Sequence, residues 1–141
     1  MKMTKIIILF IFIFVSNSNL YATSFSWKYI ASTIDSDTDF FIDDSTIKEI
    51  GDLHFFWSLA DYLRLDDQDD KNVRSVTNFN VIKCESFEFQ VISYTSYRAL
   101  QAKGGIYSNM LVKDISPDLA VWEKIDPSST FGAVMEYVCD Y

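Results

Sequence analysis

The feature that most restricts the fold is a pair of cysteines, Cys84 near the middle of the chain and Cys139 two residues before the final tyrosine. A terminus ordinarily frays, so a thiol placed there is either idle or a tether. Neither cysteine has metal-ligand spacing around it, and in an oxidising compartment two such residues read as one disulfide. Closing a loop of roughly 55 residues would stabilise the fold by about 4 kcal/mol on the chain-entropy argument. The alternative is two free thiols, buried as small apolar groups.

The other end of the chain predicts the compartment. Lys2 and Lys5 precede an unbroken apolar run from Ile6 to Val15, and a polar stretch leads to Ala22. This is the layout of a secretory signal peptide, residues 1–22, with cleavage after Ala22. The apolar run is much shorter than the roughly 20 residues a spanning helix needs, so no membrane span is expected in the mature form. No cysteine follows the run at a lipidation position, and the exported protein is expected to be periplasmic or secreted, not lipid-anchored.

The remainder, residues 23–141, is one domain's worth of chain, with no linker and no internal repeat. The full chain's formal charge of −8 becomes more negative still once Lys2 and Lys5 are gone, which repels nucleic acid and anionic lipid and favours solubility.

Aromatic and β-branched residues dominate and Gly and Pro are scarce, which favours strands. "SFSWKYIAS" alternates weakly. "TDFFIDDSTIKEI" reads as two short strands meeting at a turn near Asp43 and Asp44. "LHFFWSLADYL" places Leu53, Phe55, Trp57 and Leu59 on one strand face and the mixed set His54, Phe56, Ser58 and Ala60 on the other. The acidic tract "RLDDQDDKN" reads as a wet hairpin loop. The following apolar stretch divides into two strands near Glu85 and Ser86, with Phe87, Phe89 and Val91 on one face of the second. Lys103, Gly104 and Gly105 mark a turn, and "DLAVWEKI" is a last strand ending at Pro127.

Past Pro127 the period changes. Phe131, Val134, Met135, Val138 and Cys139 recur at helical spacing, and Ser128 or Ser129 can cap the first turn. A helix of at most about 12 residues is marginal alone in water. It must lie against the sheet, and a Cys84–Cys139 bond would hold it there.

"WKYI", "TDFFID" followed by "STI", "FWSLADY", the mid-strand cysteine, "YTSY", "VWEKIDPSS" and the late cysteine, in that order, resemble the surface-adhesin protein E-like domain of Gram-negative bacteria over about residues 25–140. The resemblance implies an α+β fold: a single antiparallel β-sheet of about six strands with a C-terminal α-helix tied across its concave face by a disulfide. Cys84 and Cys139 match the bridge, Trp122 to Pro127 and Ser128 the approach to the helix, and Trp57 the aromatic of the central strand. It also implies a non-enzymatic protein-binding module, adhesin-like, contacting host extracellular-matrix proteins, and dimer formation. A homodimer by edge-strand pairing or sheet stacking also follows from an open sheet having edges to manage. The alternative function is a periplasmic envelope protein of housekeeping role without a host ligand.

Candidate chemistry is sparse. His54 is the single histidine, so no multi-histidine metal site can form, and oxidised cysteines are not nucleophiles. "DSDTD" (Asp35, Asp37, Asp39) begins like a calcium loop, but Phe40 stands where Gly is required and Thr46 where the bidentate Glu belongs. No nucleophile elbow and no phosphate-cradling glycine loop occurs, and nothing singles out a hydrolytic carboxylate pair. No catalytic residue, metal or cofactor is expected. Tyr94, Tyr97, Arg98, Lys103 and Tyr107 interleave aromatic and basic groups as a recognition patch would; the plainer reading is that the rings pack half covered on a sheet.

Overall fold

The computed structural model describes residues 24–64, 72–111 and 121–141. The expected signal peptide and the acidic tract Asp66–Asp70 lie outside them. Six strands run in order: β1 (Lys28–Ser32), β2 (Thr38–Ile50), β3 (Leu53–Tyr62), β4 (Ser75–Lys83), β5 (Glu88–Ala99) and β6 (Lys103–Leu111). Each is antiparallel to its predecessor, so the sheet is a meander in sequence order. A two-residue β7 (Glu123–Lys124) pairs with Glu88 and Phe89 of β5, and the one helix among the described residues, α1 (Thr130–Asp140), follows. The antiparallel sheet with one C-terminal helix is the expected α+β architecture. Of the expected last strand, only Glu123–Lys124 pairs among the described residues; Asp118 to Ala120 lie outside them.

Cys84 and Cys139 are joined in a disulfide, their Cα atoms 5.6 Å apart. The helix stripe also forms: Val134, Met135 and Val138 are fully buried against Ile42, Phe56 and Ile82, with Phe131 and Cys139 packed beside them. Phe131 meets Phe40 of β2 and Phe89 of β5 at ring centroid distances of 6.1 and 5.0 Å, so one side chain joins two strands that are not neighbours. Ser129 caps the helix by accepting from the Gly132 amide at 2.9 Å. Ser129 is itself held by donating to the Asp126 carbonyl at 2.7 Å.

Side chains alternate across a strand, and the register places Phe56, Ser58 and Ala60 of β3 on the same side as Ile42 and Phe40 of β2. The helix therefore covers the mixed face of β3. The more aromatic set, Phe55, Trp57 and Leu59, points the other way, beside Phe79 and Val81 of β4. Which side is covered is fixed by Ile42, Ile82 and the Cys84 bridge together, not by one strand's pattern.

Two expected turns are elsewhere. β2 does not break at Asp43 and Asp44: it continues to Ile50 through a bulge, with Asp44–Ile47 intervening on β2 against Phe56 alone on β3. The Asp43 side chain does bond its own backbone neighbourhood, as a turn aspartate would, but β3 pairs with both halves and keeps them one strand. Between β5 and β6 the chain reverses at Leu100–Ala102, and Lys103–Gly105 already belong to β6. Gln101 and Ala102 have φ of 60° and 54°, a left-handed conformation costly for such residues. Outside bonds hold them: the Gln101 amide donates to Asp61 at 2.9 Å and the Ala102 amide to the Ser75 hydroxyl at 3.1 Å.

Candidate functional site

Asp43 organises the face away from the helix. It is only 3% exposed, and a buried carboxylate requires hydrogen-bond donors. One oxygen accepts from the Ser26 amide at 2.9 Å; the other accepts from the Ser45 amide at 3.1 Å and from the Ser45 hydroxyl. A single carboxylate thus fixes the segment ahead of β1 and the bulge of β2. Within the bulge, the Thr46 hydroxyl donates to the Asp43 carbonyl at 2.6 Å and accepts from the Trp57 amide at 3.0 Å. A side chain replaces the backbone acceptor that the bulge withdraws.

Pinning Ser26 sets Phe25 and Trp27 over the sheet. Phe25 stacks on Trp27 at 4.7 Å and meets Trp57 at 5.3 Å; Trp57 stacks on Phe79 at 5.2 Å, and Phe79 faces Phe55 at 6.1 Å. Five half-buried rings form a connected row. Four of them, with Ser45, Thr46 and Lys48, line a hollow of about 470 Å³. A second hollow of about 390 Å³ lies between Phe25 and Trp27 on one side and Gln101, Ala102 and Lys103 on the other.

The residues singled out in the sequence divide between surfaces. The Arg98 guanidinium lies over the Tyr107 ring at 5.2 Å, a cation–π contact. The Tyr94 hydroxyl donates to the Met110 sulfur at 3.3 Å. Tyr97 pairs with Ile106, and alternation along β5 sends its side chain to the face opposite Tyr94 and Arg98. Lys103 lines the second hollow beside Trp27. β6 exposes Tyr107 and Met110 on the Arg98 side and Ile106 and Leu111 on the other, and among the described residues it pairs only with β5.

His54 stands with Nδ1 at 3.4 Å from the Cys84 sulfur. The "DSDTD" aspartates surround the β1–β2 turn. A hydrogen bond from the Thr33 hydroxyl holds the Asp35 carboxyl below its ordinary range, and Asp37 pairs with Arg64 at 3.1 Å. Among the described residues no three His, Cys, Asp or Glu side chains converge. The ring row escaped the sequence reading because Phe25, Trp57 and Phe79 come from three separate segments. The signal available was parity: Phe55, Trp57 and Phe79 share a face once β3 and β4 are in register.

The family model for surface-adhesin protein E matches residues 27–140. Two crystal structures of Haemophilus influenzae protein E share the fold. One is 13% identical, with a TM-score of 0.54, covering 79% of this chain and 83% of that one. The second crystal form is 14% identical, with a TM-score of 0.55, covering 79% and 87%. Protein E from non-typeable Haemophilus influenzae is 15% identical, with a TM-score of 0.51, covering 84% and 80%. No curated protein matches the chain.

Proposed function

Since the chain belongs to the surface-adhesin protein E family, we propose that it is an exported, non-enzymatic binding module whose ligands are host extracellular-matrix proteins. Residues 1–22 direct export and are removed. The observation that carries the reading is the β5–β6 surface, where Arg98 and Tyr107 are already stacked on the same side of the sheet as exposed Met110. An aromatic–arginine pair beside an exposed methionine has the composition of a binding hot spot, since it supplies contact area at low ordering cost. The edge of β6, unpaired among the described residues, adds main-chain donors and acceptors for a partner strand, the mode in which backbone bonds give affinity and flanking side chains give selectivity.

The test is saturable binding of the mature chain to immobilised laminin, vitronectin or plasminogen, repeated with R98A/Y107A. Both side chains are exposed, so the variant is expected to melt as the parent does and to bind about tenfold or more weakly. Absence of binding to all three removes the matrix ligand. Release of the chain by osmotic shock alone would favour the second reading, a periplasmic envelope protein without host ligand.

A further inference from the structure

The ring row on the face away from the helix lies outside the β5–β6 surface and has its own chemistry. Its hollow of about 470 Å³ falls in the range of ligand sites, and its lining has their character, aromatic walls with a few polar groups. The walls are held from behind: Asp43 fixes the Phe25–Trp27 segment through Ser26 and the polar rim through Ser45. The rings are therefore set before any ligand arrives, which lowers the ordering cost of binding.

Charge narrows the occupant. In a chain of net charge −8, Lys48 borders the first hollow and Lys103 the second. Both lysines are exposed, and among the described residues neither has a carboxylate within ion-pairing distance. Phe25 is shared by the two hollows, so the lysines flank one run of rings. A ligand matched to this surface carries negative charge at intervals and apolar faces between. The strands beneath, β2, β3 and β4, are each paired on both sides, so no free strand edge underlies the row to recruit a peptide by strand addition. A proline-rich peptide would meet the rings but supplies no anion for the lysines. Nucleic acid offers stacking and charge, yet its dense phosphates are repelled by the acidic molecule. A sugar ring presents polarised C–H groups on one face, suited to the negative face of an aromatic ring, and hydroxyls at its rim for Ser45.

We propose that this row is a second binding site, for an oligosaccharide whose sugars carry carboxylates, with the rings stacking on Phe25, Trp57 and Phe79 and the carboxylates meeting Lys48 and Lys103. The inference is independent of the matrix-protein reading.

Titration of the mature chain with a hyaluronan hexasaccharide, followed by calorimetry and tryptophan emission, tests it. W122F leaves only Trp27 and Trp57 to report, both on this face. The expected result is saturable binding with an emission change, weakened about tenfold by K48E and by added salt as exposed charges are screened. An uncharged chitin hexasaccharide should bind about tenfold more weakly. F25A should abolish the emission change, and because Lys48 is solvent-exposed, K48E should leave the melting temperature unchanged. No saturable binding overturns the proposal. So do equal affinity for the uncharged sugar, indifference to K48E and K103E, or preference for a proline-rich peptide.

Discussion

Asp43 shows how much structure one side chain can hold. It bonds three donors on two segments, and breaking a buried hydrogen-bonded network of this kind costs about 1–3 kcal/mol in all. D43A is therefore expected to lower stability by about 1–3 kcal/mol in urea unfolding, and to move tryptophan emission to longer wavelength as Phe25 and Trp27 leave the sheet. Nothing in "DFFIDDS" distinguishes Asp43 from Asp44; the difference arises only when the bulge turns the first inward and leaves the second near Lys28, at 3.6 Å. Asp126 acts at the helix entrance. The Ser128 amide, then the Ser128 hydroxyl, holds its carboxyl below the usual value of 3.8. Its folded pKa is thus below the unfolded one, so its contribution is complete above the unfolded value and is lost as pH falls through the folded one. Thermal melts from pH 6 to pH 2 should show D126A less stable than the parent at pH 6, with the gap closing below about pH 4. A gap independent of pH would refute the assignment.

At the scale of elements, the helix was legible because a 3.6-residue stripe and a capping serine are local signals. Its entrance also explains Gly132: a Cβ there would lie 2.5 Å from the Asp126 carbonyl oxygen and 2.6 Å from that of Pro127. G132A gains helix propensity yet should destabilise by about 1–3 kcal/mol, the usual cost of overpacking, readable as a lower melting temperature. The strands were legible as segments and less so in their connections. Lys103–Gly105 looked like the turn because glycine tolerates left-handed backbone, whereas the true turn is held by Asp61 and Ser75 from β3 and β4, distant in sequence. The bulge in β2 was hidden for the same reason: only the register with β3 reveals four residues opposing one. Replacing Cys84 and Cys139 by serine removes the bridge and should cost about 4 kcal/mol. The sheet is expected to persist in circular dichroism while protection of the α1 amides from exchange drops.

For the whole molecule, the division of labour between faces matters more than any single contact. One face carries α1 over β1–β3 and gives rigidity. The other keeps aromatic rings half exposed, and the β6 edge is bare among the described residues. The helix is fastened a third time where the Lys28 ammonium donates to the Tyr137 hydroxyl at 2.7 Å and that hydroxyl donates to Asp44 at 3.2 Å. The Tyr137 hydrogen bond is the main cause of a raised Lys28 pKa. A raised folded value means its contribution is complete below the ordinary lysine value of 10.5 and is lost as pH rises through the folded value. Melts from pH 8 to pH 11 should show the stability gap between parent and K28M closing in strongly alkaline solution. Family and fold were readable from the order of aromatic and cysteine landmarks; the candidate sites were less so, because their members come from segments far apart in sequence.

The meander has a consequence for how the chain matures. Every neighbouring pair from β1 to β6 is joined by the segment between them, so zipping needs no distant encounter and proceeds hairpin by hairpin. Docking of α1 is different, for Tyr137 and Lys28 stand 109 positions apart and the last residues must emerge before they can seat. Assembly thus has a late, reversible closing step, and oxidation of Cys139 acts on it as a ratchet, turning a loosely hinged flap into a permanent keel.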